Sequence, residues 1–189
     1  MKPSINPVKN GPLKVEGVTE IHRNGQSQAV DGPLFLCRCG QSENKPFCDG
    51  SHSRVGFDDS RPDNPDDERL TFKQARLTVY ENVAICCHAG NCPKGKPDQW
   101  DLADVGAMIN IVRSCPSGAL SYALDDIEHR DVEREAKLIV DDLSPIKVEG
   151  AIELRNTTWG DGASQEHYAL CTCGHSKMKP FCDGSHDAL

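Results

Sequence analysis

The sequence predicts an α+β chain built from two small β-rich units at its ends, with a separate insert between them. Three observations carry this expectation. A block near the N-terminus is written out a second time near the C-terminus, and an internal repeat of this kind sets the architecture before any local reading does. Only 37% of the residues are apolar and 5% aromatic, with 16 Gly and 12 Pro, which leaves little material for one thick hydrophobic core. Finally, 10 cysteines give small units another means of holding together. The length of 189 residues by itself leaves one ordinary domain or two to three small ones open.

The repeat is specific at the level of single residues. Leu36-Cys37-Arg38-Cys39-Gly40 recurs as Leu170-Cys171-Thr172-Cys173-Gly174, and Pro46 to His52 recurs as Pro180 to His186. Upstream, Pro12 to Gly17 returns as Pro145 to Gly150 with the spacing changed by one residue. Within each copy Leu13 and Val15, or Ile146 and Val148, alternate with polar residues, and a second apolar stretch leads into the first cysteine. Both patterns predict short strands. Pro46 and Pro180 interrupt regular structure before the third cysteine, and Asp49 and Asp183 are typed to cap a short helix beginning there.

Between the copies, Asp58 to Arg69 carries Pro62 and Pro65 among acids and is expected to be a linker. The expected boundaries are therefore 1–67, 68–125 and 126–189. The insert predicts a strand at Ala75 to Tyr80, a cysteine-rich loop at Cys86 to Cys92, and a helix at Asp104 to Ser114 ended by Cys115-Pro116. Two acidic stretches, Asp58 to Glu68 and Asp125 to Asp142, are expected to be solvated linkers or helix faces.

The first residues, MKPSINPVKN, show no secretory pattern, and no apolar run approaches the roughly 20 residues needed to cross a bilayer. The expectation is a soluble cytoplasmic protein without a membrane partner. In a reducing compartment, spaced cysteines serve as metal ligands or redox groups rather than as disulfides. A net charge of -8 opposes binding to phosphate backbones, so nucleic acid is not an expected partner.

The terminal motif is C-x-C-x8-C-x3-H: Cys37, Cys39, Cys48 and His52, then Cys171, Cys173, Cys182 and His186. A cysteine and a histidine separated by three residues at a helix start share one face of its first turn and reach one centre. Amides at that terminus favour negative charge on what is bound. The same ligand types could make a structural zinc site, although paired zinc cysteines are usually two to four residues apart and here one residue intervenes.

These residues resemble the CDGSH family, also called NEET proteins, whose signature is spelled out at Cys48 to His52 and at Cys182 to His186. The resemblance implies a 2Fe-2S cluster in each copy. Cys37 and Cys39 would hold the inner iron, with Cys48 and His52 on the outer one; Cys171 and Cys173 would be the second inner pair, with Cys182 and His186 outside. It also implies a two-fold pairing of motifs, which the tandem copies could supply within one chain as a monomer. A lysine common between the second and third cysteines is matched by Lys177, whereas the first copy has Glu43, so the two potentials are expected to differ. The transmembrane helix of anchored members is not matched.

In the middle, Cys86, Cys92 and Cys115 follow C-x5-C...C-P, with Ala89 where a bacterial ferredoxin has its second cysteine. Residues 75–123 resemble a divergent single-cluster ferredoxin. Three thiolates suit a 3Fe-4S cluster; a 4Fe-4S cluster would need Cys87, His88 or an outside ligand. The alternative is a small domain with free cysteines. Cys87 taken alone reads as a packing residue and His88 as a solvated loop histidine, and His22, His129, His167 and His175 read as surface residues.

The functional expectation is electron transfer through two 2Fe-2S clusters and a third centre, with a redox partner protein. The alternative is cluster storage, delivery or redox and pH sensing through the histidine-held irons, with an apo-acceptor protein. No catalytic constellation is recognisable, so the chain is not expected to be an enzyme.

Overall fold

The computed structural model describes residues 2–62, 67–93, 100–142 and 144–189, so Pro65 of the expected linker lies outside the described residues. The N-terminal copy contains β1 (Ser4–Pro7), β2 (Leu13–Glu16), β3 (Glu20–Arg23), β4 (Gln26–Ala29), β5 (Leu34–Leu36) and the single turn α1 (Ser51–Arg54). The insert contains β6 (Arg69–Gln74), β7 (Leu77–Asn82), a 3-10 turn at Val83–Ile85, α2 (Val105–Arg113), β8 (Leu120–Leu124) and β9 (Ile127–His129). The C-terminal copy contains β10 (Lys137–Ile139), β11 (Ile146–Glu149), β12 (Glu153–Leu154), β13 (Tyr168–Leu170) and a 3-10 turn at Ser185–Ala188. The mostly β content with few helices matches an α+β chain of small β units. Among the described residues no helix is long and apolar enough to cross a membrane.

Alternation in the sequence becomes alternation in burial. Leu13 and Val15 on β2, and Ile146 and Val148 on β11, are almost wholly buried while Lys14 and Lys147 turn outward. Burying each such side chain is worth about 1.5–3 kcal/mol, which short strands need because they hold few ladder bonds of their own.

The two copies do not form separate sheets. One sheet runs β12-β1-β2-β5 and another β13-β11-β10-β3-β4. β1 pairs in parallel with β12 of the other copy, and β10 pairs in parallel with β3. Each copy thus lends its third strand to the first strand of its neighbour. The loops after the cysteine pairs meet in the same reciprocal way. A Cβ on Gly40 would lie 2.4 Å from the Cys173 carbonyl oxygen, and one on Gly174 would lie 2.7 Å from that of Cys39.

The insert is an antiparallel meander, β6-β7-β8-β9, with α2 packed against β8. Asp104 starts α2 by accepting a hydrogen bond from the Ala107 amide at 2.9 Å, as its type predicts. The β7 strand begins at Leu77 rather than Ala75, because Ala75 takes φ 50 in the turn between β6 and β7. One apolar core joins Leu13, Leu77, Met108 and Ile146, so the insert is packed onto the paired copies.

The second acidic stretch is not a plain linker or helix face. Asp125 and Asp126 both adopt positive φ and close the β8–β9 hairpin, a two-residue geometry that Asp tolerates. Farther on, Leu138 and Val140 are buried where β10 joins both copies. Net charge concealed a turn and two strands there.

Candidate metal centres

Each terminal site is assembled by the same short chain of contacts. The Cys37 amide donates to the Pro46 carbonyl at 2.8 Å and the Cys48 amide to that of Phe35 at 2.7 Å, which draws the third cysteine back onto the end of β5. In the second copy the Cys171 amide donates to Pro180 at 2.9 Å and the Cys182 amide to Ala169 at 3.0 Å. Asp49 accepts from the Glu43 and Ser51 amides at 2.9 Å each, closing the loop between the second and third cysteines. Asp183 does the same for Lys177 at 2.8 Å and Ser185 at 3.0 Å.

These bonds hold Asp49 well below the usual carboxylate range, Ser51 contributing most. Burial works against Asp183, yet the bonds from Ser185 and Lys177 outweigh it and its carboxyl is also lowered. The helical turns begin at Ser51 and Ser185, so the cysteine precedes the turn instead of opening it. Gly50 and Gly184, at φ 86 and 80, instead turn their own amides onto Cys48 and Cys182 Sγ at 3.4 Å.

The donors come in pairs. Cys37 and Cys39 place their Sγ atoms 3.6 Å apart, as do Cys171 and Cys173. Cys48 Sγ lies 3.3 Å from His52 Nδ1, and Cys182 Sγ 3.4 Å from His186 Nδ1. Tetrahedral coordination with metal–thiolate bonds of about 2.3 Å and metal–imidazole bonds of about 2.0 Å separates two ligands of one ion by roughly 3.7 Å for two sulfurs and roughly 3.5 Å for sulfur and nitrogen. Each pair therefore fits one metal ion. Among the described residues no group of three or more His, Cys, Asp or Glu side chains gathers around a single ion position.

In the second pair Cys171 is pushed up, first by its hydrogen bond to Cys173, and Cys173 is pushed down by the same bond. Burial raises Cys39 and Cys182. Thiols held up in this way release protons when they take a metal.

The insert brings Cys86, Cys92 and Cys115 to a cavity of about 170 Å³, with Cys87 and His88 also on its wall. Asn82 caps the 3-10 turn by accepting from Ala84 at 3.0 Å, and that turn delivers Cys86. Asn91 ties the loop to the end of α2 through the Ser114 carbonyl at 2.8 Å. Burial lifts Cys86 to about 12, and of the neighbouring thiols that add to the rise Cys115 contributes most.

Several histidines differ from expectation. His167 is 1% exposed, not a surface residue; Nδ1 contacts Glu166 at 2.8 Å and Ser164 at 3.0 Å, and Nε2 has no hydrogen-bond partner among the described residues. His88 is not a solvated loop residue: Nδ1 meets Asp187 at 2.8 Å, and its ring lies against Gly184. His22 is half-buried, whereas His129 and His175 are exposed.

Three further residues matter only once the sites are seen together. Asp187 lies between His88 and His186, 3.3 Å from His186 Nε2. Cys87 packs with Ala169 and Cys182. Arg38, between the first cysteines, is 3% exposed and bonds Asp59 at 2.7 Å and the Gly11 carbonyl at 2.6 Å. The available signal was divergence between copies: Ser53, Phe35 and Thr172 stand at the positions corresponding to Asp187, Ala169 and Arg38.

Two family models and two relatives match this chain. The family described as "Iron-binding zinc finger CDGSH type" matches residues 10–53 and 143–187. The family described as "Divergent 4Fe-4S mono-cluster" matches residues 72–125. The chain is 40% identical over 57 residues to the uncharacterized protein YjdI of Escherichia coli strain K12, a stretch covering 25% of this chain and 75% of that protein. The YjdI protein of Escherichia coli O157:H7 matches to the same extent.

Proposed function

The chain belongs to the iron-binding CDGSH-type family, with two copies of its motif around a divergent mono-cluster segment, and we propose that it carries electrons through two 2Fe-2S clusters and a third centre. The observation that carries this reading is adjacency. The Gly40 and Gly174 loops put the two terminal sites back to back, and Cys87 packs on Cys182 beside the middle cysteines. A relay needs its centres close together, whereas a storage protein does not.

The reciprocal strand pairing supports a pseudo-two-fold arrangement of the copies within one chain. The paired donors support a dinuclear centre in each copy rather than one tetrahedral zinc ion. Cys37 and Cys39 would hold one iron and Cys48 and His52 the other, with Cys171, Cys173, Cys182 and His186 doing the same in the second copy. Cys86, Cys92 and Cys115 would hold a 3Fe-4S or 4Fe-4S group in a ferredoxin-like insert. When bound, these groups supply one-electron couples; the chain supplies buried thiols, amide donors and a fixed spacing. We read the protein as a carrier and not an enzyme, working in the cytoplasm with a redox partner protein.

Iron, sulfide and zinc analysis of anaerobically purified protein, read with low-temperature EPR, tests this reading. The expected result is three reducible centres that cycle reversibly, one of which is lost when Cys86, Cys92 or Cys115 is changed to Ser. Zinc with colourless protein, or iron that cannot be cycled, would overturn it.

One observation favours cluster delivery or sensing as a second reading. At the first site the Cys48 and His52 edge is only half-buried, and a Cβ on Gly50 would meet nothing within 4 Å among the described residues. Transfer of iron from wild type to an apo-acceptor, faster than reversible redox cycling, would favour that reading.

A further inference from the structure

The two terminal sites share a motif but not their surroundings. At the second site the insert's cysteine loop sits directly on the cluster-binding residues: Cys87 packs against Ala169 and Cys182, and the His88 ring lies where a Cβ on Gly184 would come within 2.1 Å of it. Asp187 fastens the loop, reaching His88 at 2.8 Å and His186 at 3.3 Å. Cys182 is left 2% exposed.

Among the described residues, the corresponding face of the first site has no such cover. Gly50 faces open space, Cys48 is half-buried, and Ser53 replaces the fastening aspartate. Phe35, at the position of the covered Ala169, is 44% exposed, and Val55, one turn beyond His52, is 51% exposed. Large exposed apolar side chains are few among the described residues, and these two adjoin the open edge, Phe35 through the Cys48 amide bonded to its carbonyl and Val55 at the end of the turn that bears His52.

We propose that the insert's cysteine loop makes the second CDGSH site its internal electron partner, leaving the open edge of the first site, flanked by Phe35 and Val55, as the terminal that docks a separate small electron-carrier protein. The proposal rests on the electron-transfer reading above. The covered copy shows what kind of surface such an edge accepts: a loop bearing cysteine ligands, laid against the third cysteine of the motif. A carrier presenting its own cluster loop would meet the same edge on the first copy. One electron passes per encounter, from the carrier's reduced centre to the chain's oxidised one or the reverse; no bond forms or breaks and no proton is needed for balance.

The internal half is tested by EPR on protein poised so that the middle and terminal centres are paramagnetic together. The middle signal should be broadened in wild type, narrow in Cys182→Ala, and remain broad in Cys48→Ala. Equal behaviour of the two variants would overturn the pairing. The docking half uses a prereduced plant-type ferredoxin as the probe, mixed with the full chain in a stopped-flow instrument. Phe35→Glu with Val55→Glu should slow the second-order rate at least tenfold with iron content and visible spectrum unchanged. Should that variant lose iron, Phe35→Ala with Val55→Ala is measured instead, with several-fold slowing expected. A rate equal to wild type in an iron-replete variant overturns the docking edge while electron transfer stands. A wild-type chain that exchanges no electrons with the probe removes both.

Discussion

Gly40 and Gly25 have the same backbone conformation, φ 78, but opposite surroundings, and Gly40→Ala against Gly25→Ala separates conformational cost from crowding. A non-glycine residue in the left-handed region costs about 1–2 kcal/mol. That cost applies at both positions. At Gly25 a Cβ meets nothing within 4 Å, so Gly25→Ala should lose that amount and no more. At Gly40 the Cβ would stand 2.4 Å from the Cys173 carbonyl oxygen, nearly an ångström inside ordinary contact, and backbone cannot swing aside like a flexible side chain. Overpacking of this kind adds about 1–3 kcal/mol. Gly40→Ala should therefore be destabilised by roughly 2–5 kcal/mol in urea unfolding followed by tryptophan fluorescence. The displaced atom belongs to Cys173, so the EPR signal of the second site should shift although the substitution is in the first copy. If both variants lose equal stability and the second signal is unmoved, the reasoning about the apposed loops is wrong.

Three further outcomes are expected. Asp59→Asn leaves the Arg38 guanidinium buried without its anion and should cost about 3 kcal/mol, near the lower end for a broken buried pair because the carbonyls of Gly11 and Val8 still accept from it. Burial opposes the charge on Asp59, but Lys9 and Arg38 lower its folded pKa, so its stabilisation is full above about pH 4 and is lost as pH falls through the folded value. Urea midpoints taken between pH 5 and 2 should show a shallower decline in the variant. His167 is depressed by burial first and Arg134 second, so its neutral form stabilises the fold above about pH 6.5 and that contribution fades on acidification toward the folded value. In His167→Gln the melting temperature should fall less on acidification across that window than in wild type. Replacing His52 or His186 with Cys keeps a donor but adds a negative charge, so the midpoint potential of that site alone should fall, part of the way along the difference of a few hundred millivolts that separates two-histidine Rieske centres from all-cysteine ferredoxins at about -400 mV. Potentiometric titration reads it, and an unchanged potential would remove the histidine from the ligand set.

The donor pairs were legible in the sequence in two ways: the meeting of Cys48 with His52 follows from their spacing at a helix start, while the pairing of Cys37 with Cys39 was implied by the family resemblance. So were β2 and β11, whose alternation is written in Leu13, Val15, Ile146 and Val148. β10 was hidden in an acidic stretch because its buried Leu138, and Val140 just after it, acquire meaning only once β3 and β11 flank them. β12 is two residues long and exists by pairing with β1. His167 looked like a surface residue since nothing nearby in sequence announces that Glu166, Ser164 and Gly118 will enclose it. The contact of Cys87 with Cys182 joins residues from different motifs, and spacing within either motif carries no information about it.

The lending of strands between the copies also bears on how the molecule is made. Ser4 and Ile5 lie beside Glu153 and Leu154, and His22 beside Ile139, so neither sheet is complete until most of the chain has been synthesised. Domains usually fold in order of emergence from the ribosome, but here the first copy has no partner to fold with while the insert is still being translated. Contacts this distant in sequence slow folding, because the connecting loop must close before they contribute. Both sheets are then completed together, late in translation, while the local contacts that draw Cys48 back onto the end of β5 do not wait for the second copy.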